Sequence, residues 1–249
     1  MNHTKKAVIF DLDGTLVDNR ASFAKAYRAM CARYPNLFDE QDGEAEQLLI
    51  RFYRSSFARD AYRALCDHLA PRRLQLPTID CLHEEWGMTY AKNAVLLPHA
   101  AETVDYLHKK GYKVGLLTNG NSERQWAKIH SCGLFPCFDH IVVSGDQPFE
   151  KPDPAIYRLS LAGLGVTAEE ALFVGDTVET DIDGAKQAGI DSLWLTEKKR
   201  EHRRSNLSCG KRRGADEPSI NKSRSGINRI GFEITSDKQK SGSRRFLFY

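Results

Sequence analysis

Short apolar runs ending in polar or glycine residues recur along the chain: AVIFD (7–11), YKVGLLTNG (112–120), HIVVSGD (140–146), EALFVGD (170–176) and DSLWLT (191–196). They are rich in β-branched and aromatic residues and show no clear alternation, as expected of strands buried on both faces. Helical patterns lie between them, over 99–110, 122–132, 153–163 and 181–188. Strand alternating with helix predicts an α/β fold, a doubly wound parallel sheet.

Residues 20–97 interrupt that rhythm. Phe23, Tyr27, Met30, Cys31 and Tyr34 fall at helical spacing, as do Leu48, Leu49, Phe52 and Tyr53, and then Leu82, Trp86 and Tyr90. The pattern predicts an all-helical cap inserted between the first and second strands, with Asp39 to Glu44 and Pro71 to Pro77 as interhelical loops. The expected division is a core of residues 1–18 and 98–197, a cap of residues 19–97 and a tail of residues 198–249.

Composition changes the picture mainly at the tail. The net charge of +3 conceals a tail with fifteen Lys or Arg against five Asp or Glu, which leaves 21 bases and 28 acids in residues 1–197. The tail's polar, basic composition is that of a disordered segment, a nucleic-acid arm or a non-native ending. Few aromatics are interleaved with the charge, which weighs against nucleic acid. Only Ile230 to Ile234 looks like a strand there. No stretch is long and apolar enough to span a membrane, and MNHTKKAVIF is too poor in apolar residues for a secretory signal, so a cytoplasmic protein, monomer or homodimer, is expected. Cysteines 31, 66, 81, 132, 137 and 209 have no zinc-type spacing and read as free or buried thiols.

Polar residues collect at the ends of the predicted strands, where open parallel sheets bind ligands. The first strand ends in Asp11 and Asp13, and the second in Thr118-Asn119-Gly120. Lys151-Pro152-Asp153 follows the third; the fourth ends in Gly175-Asp176, with Asp181 five residues on. Two carboxylates so close in a low dielectric raise each other's pKa or need a cation. A lone DGT is a common turn, but four such segments in order mark a site. DLDGT, LLTNG, KPDP and VGDTVETDIDGA resemble the four-motif signature of the haloacid dehalogenase superfamily. They are most similar to its phosphatase branch with a helical cap between the first and second motifs, phosphoglycolate phosphatases included. The resemblance covers residues 6–196 and implies a phosphatase acting on a small phosphorylated metabolite.

The residue types fit that chemistry. Asp11 is suited to attack phosphorus, forming an aspartyl-phosphate that water hydrolyses. Asp13, on the same face of an extended segment, can protonate the leaving oxygen and then deprotonate the water. A carboxylate and a phosphate dianion repel, so a hard cation is needed. Asp11, Asp176 and the backbone carbonyl of Asp13 offer the oxygens that Mg²⁺ prefers. Asp181 is either a further ligand or the N-cap of the helix over 182–188. Lys151 supplies positive charge and Thr118 a hydroxyl; Asn119 and Gly120 precede a capping-box pattern, Ser122 to Gln125, whose free N–H groups can face a phosphate. Gly14 permits the sharp turn after the acids.

The cap's aromatics read as its own core rather than a substrate box. Its arginines at 51, 54, 59, 72 and 73 are candidate anchors for a second anionic group, with nothing to choose among them. His99, His108, His130 and His140 have no metal spacing. A dehalogenase would have no use for Asp13, whereas a phosphomutase would share every core motif. A catalytically idle phosphate-binding module is the rival from a different class.

Overall fold

The computed structural model describes residues 4–54, 58–72 and 76–195. The basic tail, Cys209 and the strand-like Ile230 to Ile234 lie outside the described residues, as does Arg73.

Five strands, β1 (Ala7–Phe10), β2 (Lys113–Thr118), β3 (His140–Val143), β4 (Ala171–Gly175) and β5 (Asp191–Trp194), form one parallel sheet in the order β3-β2-β1-β4-β5. Residues in β1 do alternate in direction. Val8 and Phe10 pack with Val114, Leu116, Val174 and Ile129, while Ala7 and Ile9 pack on the opposite face with Leu117, Phe173, Ile156 and Tyr157. Both faces are apolar, so the period of two leaves no trace in the hydropathy. The helices α5 (Ala100–Lys109) and α6 (Ser122–Ser131) cover the first face, and α7 (Pro154–Leu164) and α8 (Gly184–Gln187) the second. The chain winds outward from β1 to β3 and returns to β4 on the far side of β1. The carboxyl ends of β1 and β4 therefore flank the topological switch point, where ligands bind in open α/β sheets.

Helix ends follow local chemistry, with two departures from the sequence pattern. Asp153 caps α7, its Oδ1 accepting from Ala155 N at 2.8 Å, with Pro154 in the first turn. In α6 the N-cap is Asn121 rather than Ser122: its Oδ1 accepts from Arg124 N at 3.1 Å, and with Arg124 at the third helical position the expected capping box does not form. The helix expected over 181–188 is instead a π-helical segment, Val178–Asp183, followed by the single turn of α8. Asp181 is not its N-cap. The Asp181 N–H is bonded to Thr177 O, and the side chain is buried toward the strand ends. Single wide turns of this kind are rare and frequent at functional sites.

Between β1 and β2 stand α1 (Asn19–Arg33), α2 (Gly43–Arg54), α3 (Ala58–Leu69) and α4 (Ile79–Lys92), an all-helical cap with its own core of Tyr27, Met30, Leu49, Phe52, Leu65 and Trp86. The loop expected over 39–44 is shorter, because α2 already begins at Gly43. Asp42 ends that loop: it accepts from Ala45 N at 3.0 Å, from Arg72 at 2.6 Å and pairs with His68 at 2.9 Å. Arg72, which also donates to Leu37 O, lies in a 3₁₀ turn, Ala70–Arg72, within the second expected loop and serves the cap's structure. Cap and core meet where α4 lies on α6, with Ser131 Oγ donating to Ala91 O at 2.9 Å. No helix among the described residues is long and apolar enough to cross a membrane. Cys31, Cys66, Cys81, Cys132 and Cys137 are free thiols.

Candidate active site

Strand ends β1 and β4 bring Asp11, Asp176 and Asp181 together, with one carboxylate oxygen from each within 4.8 Å of the others. Lys151 Nζ donates to Asp11 Oδ1 and to Asp181 Oδ1, at 2.7 Å in each case, and all three residues are buried. The cluster gathers three carboxylates around one ammonium, and so much negative charge in a low dielectric favours a bound cation. An all-oxygen donor set of that charge fits a hard divalent cation such as Mg²⁺. Gly14 fits the same arrangement. Its φ of +85° belongs to the left-handed region, and a Cβ there would stand against the Asp176 carboxylate. Burial pushes the Asp11 carboxyl up to about 7, opposed by the Lys151 charge and reinforced by Asp181 and Asp13. Burial pulls Lys151 the other way, but Asp11 and Asp181 outweigh it and hold the ammonium above its ordinary range.

Asp13 stands apart on different partners. Lys128 Nζ donates to its two oxygens at 2.9 and 2.8 Å, and Gln125 Nε2 to Oδ2 at 2.9 Å. From the cap, the Tyr90 hydroxyl approaches Asp13 Oδ1 at 3.3 Å while donating to Asn19 Oδ1 at 2.7 Å. The Lys128 ammonium sits 4.7 Å from the centre of the Tyr90 ring. Burial holds the Tyr90 hydroxyl protonated, well above the ordinary range. Lys128 and Tyr90 are partners that the strand-end pattern did not single out. A signal was present: Gln125, Lys128 and Ile129 share the buried face of α6, so that face carries two polar groups that need partners.

The remaining expected residues have partners of their own, and Asn119 is the one bonded to Lys151. Thr118 Oγ1 accepts from Gln125 Nε2 at 2.6 Å. The Asn119 side chain brackets the Lys151 backbone, donating to its carbonyl at 2.8 Å and accepting from its N–H at 2.9 Å. The Gly120 N–H, expected to face a phosphate, donates to Ser144 Oγ at 3.0 Å.

A cavity of about 250 Å³ opens between these groups and the cap, with Asp13, Asn119, Gln125 and Lys128 on the core side and Phe23, Tyr53, Arg54 and Tyr90 on the cap side. Phe23 and Tyr90 thus belong both to the cap's core and to the cavity wall. Among the described cap arginines, Arg54 lines this cavity, whereas Arg59 lines a separate cleft within the cap.

Residues 5–189 match the family model described as haloacid dehalogenase-like hydrolase, and the chain belongs to that family. A glyceraldehyde 3-phosphate phosphatase of Pyrococcus abyssi is 34% identical over 198 residues, covering 76% of this chain and 81% of its own. A ribulose-1,5-bisphosphate 5-phosphatase of Halopiger xanaduensis is 29% identical over 198 residues, covering 75% of this chain and 83% of its own. Among solved structures, the magnesium-bound hydrolase YfnB of Bacillus subtilis has the same fold, with a TM-score of 0.61 at 23% identity, covering 77% of this chain and 87% of its own.

Proposed function

We propose that the protein is a magnesium-dependent phosphoric monoester hydrolase that cleaves a small phosphorylated metabolite through an aspartyl-phosphate on Asp11. The observation that carries this reading is the separation of two aspartates two residues apart onto different partners. Asp11 faces Lys151, Asp176 and Asp181, whereas Asp13 faces Lys128, Gln125 and Tyr90. That separation supports a nucleophilic role for one carboxylate and proton transfer by the other.

Mg²⁺, when bound, would be held by Asp11, Asp176 and Asp181 with the Asp13 carbonyl, and would neutralise charge between nucleophile and phosphate. Asp11 forms the new O–P bond while the ester P–O bond breaks, and Asp13 gives its proton to the departing oxygen. Asp13 then takes a proton from water as that water attacks phosphorus, which releases inorganic phosphate and regenerates Asp11. Lys151 offsets charge on the transferring oxygens, and the Thr118 hydroxyl donates to them. Lys128 and Gln125 hold the Asp13 carboxylate in the form that takes the proton from water, and the acid form that serves the leaving oxygen must give up one Lys128 contact; Tyr90 reaches the same group from the cap.

The test separates the two acids. Asp11→Asn leaves no charged nucleophile and should form no covalent intermediate. Asp13→Asn keeps the nucleophile, so with p-nitrophenyl phosphate, whose leaving group needs little protonation, it should phosphorylate Asp11 and then stall. Rapid quench and mass spectrometry should find phosphate on Asp11 in the second variant and none in the first. Label on another residue, or steady turnover by Asp11→Asn, would overturn the mechanism.

A further inference from the structure

The cavity wall carries more positive charge than the phosphoryl chemistry uses. Its lining holds three cations, Arg54, Arg124 and Lys128, against the one carboxylate of Asp13. Lys128 is matched to Asp13. Arg124, on core helix α6, is paired with Glu84 outside that lining, which leaves Arg54, on cap helix α2, without a carboxylate partner among the described residues; both guanidiniums line the same small space.

Arg124 is held in place by contacts that leave part of it unmatched. Its Nη2 donates to Glu84 Oε2 at 2.6 Å and stands 3.3 Å from His83 Nδ1, and its Cζ lies 5.7 Å from the centre of the Tyr53 ring. Gly87 admits it: a Cβ there would stand 2.6 Å from Arg124 Cζ, so the missing side chain leaves room for the guanidinium against α4. Its Nε is buried without a hydrogen-bond partner among the described residues. A buried donor without an acceptor is disfavoured, and this one is packed toward Gly87. Arg54 is exposed at the cavity, and no hydrogen bond or ion pair to a described residue engages its guanidinium. Planar guanidiniums suit carboxylates and phosphates, which they grip through paired N–H donors.

We infer that the substrate carries a second anionic group, a carboxylate or a second phosphate, bound by Arg54 and Arg124 on the side of the cavity away from Asp11. The cavity's 250 Å³ is below the range of about 300–1,000 Å³ found for drug-sized ligands, so the substrate class is a small phosphorylated acid or a small bisphosphate. The inference rests on the phosphatase reading above and narrows it. Of the activities named for the relatives, ribulose 1,5-bisphosphate has such a second anion and glyceraldehyde 3-phosphate has none.

Three probes test it: glyceraldehyde 3-phosphate, 3-phosphoglycerate, which differs from it by a carboxylate in place of the aldehyde, and ribulose 1,5-bisphosphate. With Mg²⁺ present, at least one of the two anionic probes should exceed the aldehyde in kcat/KM by about tenfold or more, the scale of one charge-assisted contact. Arg54→Gln should cut that preference at least about fivefold through KM, and Arg54→Lys should retain more of it than Arg54→Gln does. The anionic probe that loses more on Arg54→Gln identifies the group held, carboxylate or phosphate. A smaller preference in the unmodified protein, or one that Arg54→Gln leaves above that limit, overturns the inference while leaving the phosphatase reading intact. Failure to release phosphate from any probe, p-nitrophenyl phosphate included, removes both together.

Discussion

As the proposed nucleophile, Asp11 would serve opposing demands. A nucleophile must be charged, yet burial pushes this carboxyl up to about 7, with Lys151 only partly offsetting the penalty. With the carboxyl pushed up to about 7, a cation bound by Asp11 would compete with a proton near neutral pH. The sign follows directly: lowering the pH restores the proton and weakens the metal, and raising it does the reverse. Mg²⁺ affinity measured by calorimetry should therefore rise about tenfold between pH 6 and pH 8, with net proton release at the lower pH. Equal affinity at both pH values would show that Asp11 is not among the ligands. Asp13 meets a different demand, because its partners Lys128 and Gln125 stand on one face of one helix and hold its carboxylate in a single orientation.

Among the elements, the junction of α2 with the end of α3 is held chiefly through Asp42, with Glu44 also 3.5 Å from His68. Asp42 gathers the Ala45 N–H, His68 and Arg72, and these outweigh the effect of burial, so its pKa lies below the ordinary value. A depressed carboxyl pKa contributes stability that is present above the unfolded value of about 3.9 and lost as pH falls through the folded value. Asp42→Asn should cost about 1–3 kcal/mol at pH 7, a fall of several degrees in Tm. The difference between the two proteins should shrink as the pH is lowered from 5 toward 3, as followed by circular dichroism melts. A gap that stays constant across that range would mean that the charge of Asp42 is not what stabilises the cap. The π-helical segment 178–183 is the other element whose detail decides chemistry, since it buries Asp181 beside Lys151 where a regular helix start was expected.

On the scale of the whole molecule, every residue assigned a part in the reaction lies between Asp11 and Asp181, on described elements of the core and cap. A chain ending after Leu195 should keep kcat and KM within about twofold of the full chain. Loss of turnover by a truncated protein with an unchanged circular dichroism spectrum would give the basic tail a part in the reaction.

Sequence determined the order of elements and the strand-end acids, because both are written locally. Strands buried on both faces appear as unbroken apolar runs, and residues that meet at a sheet's carboxyl edge must end those runs. The interruption after β1 likewise marked the helical insert by its change of period. Tertiary structure alone decided what those acids touch. Lys128 and Tyr90 lie 115 and 77 residues from Asp13, and no local pattern encodes a contact across that distance. The choice among the cap arginines was also made in three dimensions: Arg72 stabilises a loop, Arg59 lines a separate cleft and Arg54 reaches the cavity. All are polar positions on a helix or turn, alike in hydropathy, and only the docking of α4 on α6 brings one of them to face the chemistry.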